Sequence, residues 1–78
     1  MNWSKIDGTV RKGEYFRFGE FVVIGKDSKF GSRVFIHDHV VIEENVIVES
    51  ASEIMSFVHL QSGTKIGRKA KLGSGYRS

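Results

Sequence analysis

The chain has 78 residues, which allows one small domain, and a chain of this length buries only about 60% of the surface it exposes when unfolded. Its composition, 40% hydrophobic and 27% charged, is that of a folded chain, and no apolar run approaches the roughly 20 residues that a membrane span needs. With no cysteine, a disulfide framework and a thiolate zinc site are both excluded, so stability has to come from packing or self-association. The formal charge of +3 falls in three blocks: residues 1–36 hold seven basic and four acidic residues, residues 37–53 hold five acidic and no basic ones, and residues 54–78 hold five basic and no acidic ones. The last block sets Lys65, Arg68, Lys69, Lys71 and Arg77 close together, a concentration that attracts anions. No nucleic-acid-binding motif accompanies that charge, so nucleic acid is not the expected partner.

The N-terminus, Met1-Asn2-Trp3-Ser4-Lys5, lacks the basic-then-apolar order of a signal peptide, which points to a cytoplasmic protein. From residue 18 a repeat governs the chain. Every sixth residue is large and apolar: Phe18, Ile24, Phe30, Ile36, Ile42, Val48, Ile54, Leu60, Ile66 and Leu72. Four places after each comes Val22, Ser28, Val34, Val40, Val46, Ser52, Val58, Thr64, Ala70 or Tyr76, small or β-branched in all but the last. Gly19, Gly25, Gly31, Gly67 and Gly73 directly follow five of the large residues. A period of six matches neither a 3.6-residue helix nor a hairpin meander, and it fits a chain that turns a corner every six residues. Ile6 and Val10 keep this spacing, but Lys12 and Phe16 then stand at inward places, so residues 1–17 read as an irregular first coil or cap and residues 18–77 as regular repeats of one domain, 1–78. Trp3 at the start and Tyr76, Arg77 and Ser78 at the end are expected to cover open coil ends.

This pattern resembles the hexapeptide repeat of left-handed parallel β-helix proteins, which include many acyltransferases and the γ-class carbonic anhydrases. The resemblance implies an all-β, left-handed parallel β-helix of about four coils with three flat faces, residues 18 apart stacking in columns. Large side chains fill the prism, small ones fit its corners, and glycine eases the turns. Outward positions can then be sorted. The corner after Phe18, Ile36 and Ile54 carries Glu20-Phe21, Asp38-His39 and Ser56-Phe57, with Phe35, His37 and Met55 on the strand entering it and Val23, Val41 and His59 on the strand leaving it. The other two edges, with Lys26-Asp27, Glu44-Asn45 and Ser62-Gly63 on one and Glu14-Tyr15, Ser32-Arg33, Ser50-Ala51 and Arg68-Lys69 on the other, read as solvated.

Phe21, Val23, Phe35, Val41, Met55 and Phe57 thus form an apolar stripe larger than a monomer normally exposes, which marks an interface. Relatives of this fold commonly assemble side by side as trimers, so a homotrimer through this edge is expected. All three histidines, His37, His39 and His59, fall on or beside the same edge. Imidazole there can act as a base, bind zinc or donate to an anion. In hexapeptide acyltransferases a histidine at the subunit boundary is the base and coenzyme A lies along the groove between subunits, which makes His39 or His59 the candidate. The run from Ile66 to Gly75 looks like the late coils that hold that donor. However, no sizeable loop breaks the hexads and no flanking helices complete an acceptor pocket. The γ-class carbonic anhydrases hold zinc with three histidines from neighbouring subunits, two of them five residues apart, a spacing this chain lacks.

The expected function is therefore a non-catalytic homo-oligomer, with no cofactor, metal or catalytic residue assigned, that binds a small anionic, nucleotide-like ligand in grooves between subunits. His37, His39, His59, Phe35 and Phe57 would contact the ligand with Lys65, Arg68, Lys69 and Lys71. A minimal acyltransferase and a trimeric scaffold without ligand are the alternatives.

Overall fold

A computed structural model of the chain describes residues 4–77. Its strands are β1 (Lys5–Ile6), β2 (Arg11–Lys12), β3 (Arg17–Phe18), β4 (Val23–Ile24), β5 (Lys29–Phe30), β6 (Phe35–Ile36), β7 (Val41–Ile42), β8 (Ile47–Val48), β9 (Glu53–Ile54), β10 (His59–Leu60), β11 (Lys65–Ile66) and β12 (Lys71–Leu72). Each is two residues long because the other four residues of a hexad make the corner. The strands stack as three parallel sheets: face one is β1-β4-β7-β10, face two β2-β5-β8-β11 and face three β3-β6-β9-β12. Partners lie 18 residues apart, as in Val23 with Val41 and Phe35 with Glu53. The chain is an all-β, left-handed parallel β-helix of about four coils.

The repeat works because one side chain per strand points inward and one more fills each corner. Ile24, Ile36, Ile42, Ile54, Leu60 and the corner residues Val22, Val34, Val40, Val46 and Val58 are all 2% exposed or less. Each such side chain contributes about 1.5–3 kcal/mol by leaving water. Ser28 and Ser52 occupy two corner places and are equally buried. Ser28 Oγ donates to the carbonyl of Glu43 (3.0 Å) and accepts from the N–H of Val46 (3.3 Å); Ser52 Oγ does the same with Gly67 (2.8 Å) and Ala70 (3.2 Å). A hydroxyl at a corner thus ties two coils together without leaving a polar atom unpaired.

Each corner from residue 15 to residue 75 uses one residue in the left-handed region, three places after the inward residue of its strand, and at two of them that residue is glycine, Gly63 and Gly75. Tyr15, Phe21, Asp27, Arg33, His39, Asn45, Ala51, Phe57 and Lys69 have φ between 56° and 64°. This conformation costs a residue with a side chain roughly 1–2 kcal/mol. In return it aims the N–H at the preceding coil: His39 donates to the carbonyl of Glu20 (2.9 Å) and Ala51 to that of Ser32 (2.9 Å). It also points the side chain straight out from the edge, which decides what the edge presents.

Close contact between coils shows most clearly at Gly31, where a Cβ would come within 2.6 Å of the backbone nitrogen of Ser50, whereas at Gly67, one place in the same outward column, a Cβ would meet nothing within 4 Å. Gly31→Ala is therefore expected to cost about 1–3 kcal/mol. Gly67→Ala is expected to be neutral or to stabilise by about 0.4–1 kcal/mol through the unfolded chain. Urea denaturation of the two variants checks the difference in sign.

The first coil already keeps register, Lys5 with Val23 and Arg11 with Lys29. Lys12 stands at an inward place but is exposed, its ammonium 6.0 Å from the Phe16 ring centre, and Phe16 stacks on Phe30 at 5.1 Å. At the other end Arg77 pairs with His59, whose N–H donates to Tyr76 O (2.9 Å), adding a rung to face one. Trp3 and Ser78 lie outside the described residues. Among the described residues no helix is long and apolar enough to cross a membrane.

Candidate functional site

The edge between faces three and one is built by the left-handed corners. Phe21, His39 and Phe57 occupy the same place in successive coils and form a ladder of rings: Phe21 and His39 lie 4.9 Å apart at 8°, His39 and Phe57 5.1 Å apart at 1°. Phe57 is 64% exposed and Phe21 43%. On face three, Phe35 stacks on His37 at 4.2 Å, and the Arg17 guanidinium lies 5.8 Å from the Phe35 ring centre. On face one, Val41 is exposed and Val23 half-buried, and Met55 on face three is half-buried. The six residues expected to form an interface stripe are thus distributed over face three, the edge and face one, with His37 and His39 stacked among them.

A carboxylate flanks the ladder on each side. His37 Nε2 is 2.7 Å from Glu53 Oε2 on face three, and His59 Nε2 is 2.6 Å from Glu43 Oε2 on face one. Both pairs span 16 residues, as does Glu49 with Lys65 on face two (3.8 Å). The spacing follows from the lattice: the outward residue after a large one faces, diagonally, the outward residue before the large one 18 places on. Glu43 Oε1 also accepts from the backbone N–H and hydroxyl of Ser62, both at 3.3 Å. The hydrogen bond from His59 and then those from Ser62 hold the Glu43 carboxyl below its ordinary value.

A depressed folded-state pKa means that Glu43 contributes stability above the unfolded carboxylate value of about 4.3, and that the contribution is lost as pH falls through the folded value. His59→Ala is expected to move the Glu43 titration back up. Carboxyl-carbon NMR across the acid range reads that shift, and an unmoved midpoint would contradict the pairing.

The histidines share the edge but not a column. His37 belongs to face three, His39 to the edge itself and His59 to face one, and among the described residues no group of three or more histidines and carboxylates is placed to hold a metal. The cations expected to join them are divided. Lys71 lies on face three in the column of Arg17, Phe35 and Glu53. Lys65 lies on face two, and Arg68 and Lys69 lie on the edge between faces two and three. Sequence reasoning missed Glu43 and Glu53 as partners of the histidines; the 16-residue spacing was the available signal. It also missed Tyr15, 70% exposed on an edge read as solvated, with Arg33 5.8 Å from its ring centre.

Charge is sorted around the prism as well as along it. Face one with its two bounding edges holds three basic residues (Lys5, Lys26, Arg77) and six acidic ones (Asp7, Glu20, Asp27, Asp38, Glu43, Glu44). Faces two and three with the edge between them hold the other nine basic residues and only Glu14, Glu49 and Glu53. One side of the molecule is therefore at −3 and the other at +6.

No family model matches the chain and no curated protein matches it. Among solved structures, the chain is similar to a protein of Bacillus cereus described provisionally as an acetyltransferase, at 15% identity and a TM-score of 0.42, over 97% of this chain and 69% of that one. The coil architecture fits the hexapeptide-repeat β-helix family that the sequence resembles.

Proposed function

We propose that this chain is a self-associating binding module, not a catalyst, which holds a small anionic ligand with a planar ring in grooves between copies of itself. The observation that carries this reading is the ring ladder of Phe21, His39 and Phe57, whose stacked rings turn their edges outward and leave a flat face at the Phe57 end, where the next coil has Gly75 at the same place. A ridge needs a second wall to become a groove, and its exposed apolar flanks favour a protein wall. Lys65, Arg68 and Lys69 sit on the far side of the same chain, so only a neighbouring copy brings them beside the ladder. Copies packed side by side in a closed ring use two different flanks, one from each neighbour, which suits a homotrimer. A nucleotide-like ligand would stack its ring on the ladder and set its phosphates against those cations.

One observation favours a second reading. His59 is held through Nε2 by the Glu43 carboxylate, which leaves Nδ1 as the basic nitrogen of an oriented imidazole, the arrangement a general base for acyl transfer requires.

Native mass spectrometry of freshly purified protein tests the reading. Trimers carrying a nucleotide-sized adduct are expected, and monomers would overturn it. Bare trimers that transfer an acyl group, and lose that turnover on His59→Ala while remaining trimers, would replace it with the second reading.

A further inference from the structure

We infer that face two and its border with face three form a binding site for a chain of phosphoryl groups. The inference deepens the proposed function by giving the anionic part of the ligand its place, and it rests on that reading only for the ring.

The outward column of face two before the large residues is Arg11, Lys29, Ile47 and Lys65, in direct register. The column after them is Gly13, Gly31, Glu49 and Gly67, so for most of its length the strip beside the cations is bare backbone. The edge with Arg33, Arg68 and Lys69 closes the far side. A cavity of about 460 Å³ lies in this trough, lined by Lys29, Gly31, Ile47, Glu49, Ser50 and Arg68. A second of about 520 Å³ adjoins it and shares Lys29 and Ile47, with Arg11, Asp27 and Asn45 on its wall.

Three features point to a phosphate chain. First, all but one of the cations are uncommitted: Lys65 pairs with Glu49 at 3.8 Å, while among the described residues no carboxylate stands within 4.0 Å of Arg11, Lys29, Arg68 or Lys69. Second, they repeat along the axis. Coils are spaced by about 4.8 Å, so Arg11 and Lys29 are one step apart and Lys65 is roughly 14 Å from Arg11. A single carboxylate or phosphate reaches one or two of them, whereas a linear chain of phosphoryl groups meets several. Third, the surrounding surface at +6 against −3 on the opposite side draws such a ligand to this side. Glu49 within the trough, with Asp27 and Glu14 at its borders, opposes the ligand, and removal of Glu49 should favour it.

Inorganic tripolyphosphate is the probe, titrated by calorimetry into the full chain at two salt concentrations. Binding that weakens with salt is expected. Lys29→Glu and Arg68→Glu should each weaken it at least about tenfold, while Glu49→Gln should tighten it several-fold. Lys26→Glu, a reversal on the acidic side, should leave it within about twofold. No binding at millimolar probe, or equal weakening by Lys26→Glu, would overturn the inference. Tripolyphosphate carries no ring and tests the trough alone, whereas a nucleoside without phosphate tests the ladder alone, so a failed ring site and a failed phosphate site are told apart. A single-stranded oligonucleotide is titrated in parallel. Tighter binding than tripolyphosphate through Lys29 and Arg68 supports the site and makes a nucleic-acid backbone the source of its phosphates; weaker binding supports it with a small polyphosphorylated compound as the source.

Discussion

Ile36→Ala is expected to lower the unfolding free energy by about 3–5 kcal/mol. Ile36 is fully buried at mid-height in the prism, between Phe18 and Ile54 in the stacked column of face three. The coils above and below it are fixed by backbone hydrogen bonds such as those from Gly19 to Ile36 (2.8 Å) and from His37 to Ile54 (2.8 Å), so the cavity cannot collapse without breaking a ladder. At about 0.05–0.15 kcal/mol per residue, a chain of this size has roughly 4–12 kcal/mol in total, and the loss takes a large share of it. Leu72→Ala, in the same column but half-buried at the open end, should cost distinctly less. Urea titrations followed by circular dichroism compare the two, and equal losses would mean that the interior is not the continuous column described.

What the sequence makes legible is set by the geometry of the prism. An inward place accepts only a narrow range of side chains, so Ile24, Ile36, Ile42 and Ile54 stand out against their polar neighbours. The histidine edge was legible for the same reason, since columns 18 residues apart follow once inward places are fixed. Charge was not. Read along the chain, Lys65 to Lys71 is one basic block; in the fold each hexad turns the chain to the next face, so Lys65 lands on face two, Arg68 and Lys69 on an edge and Lys71 on face three. His37 and His39 are two residues apart and still diverge, because His39 alone takes the left-handed corner conformation, at φ 58°. Arg11, Lys29 and Arg33, distant in sequence from the basic block, belong with it in space. The pairing of His37 with Glu53 and of Glu43 with His59 depends on a diagonal between coils, which only the exact register of two sheets fixes.

For the proposed homotrimer, Phe57→Asp is expected to give single chains, with the mass measured by light scattering falling from three chains to one. Phe57 is 64% exposed, and Phe21, Phe35 and Val41 of the same expected stripe are 43%, 37% and 41% exposed. Aromatic residues at the centre of an interface typically carry 2 kcal/mol or more of the binding energy. A carboxylate placed there costs several kcal/mol further if it is desolvated without a partner, and Asp38 and Glu20 on the same edge add repulsion. The substitution separates assembly from folding. Phe57 has φ 63°, a conformation that aspartate adopts more readily than phenylalanine, so the isolated chain should unfold at the same urea concentration or a higher one. A variant that stays assembled would move the interface to another edge. A variant that dissociates and keeps its fold would establish that this corner, strained at Phe21, His39 and Phe57 to point a ring outward, serves contact between chains rather than the stability of one.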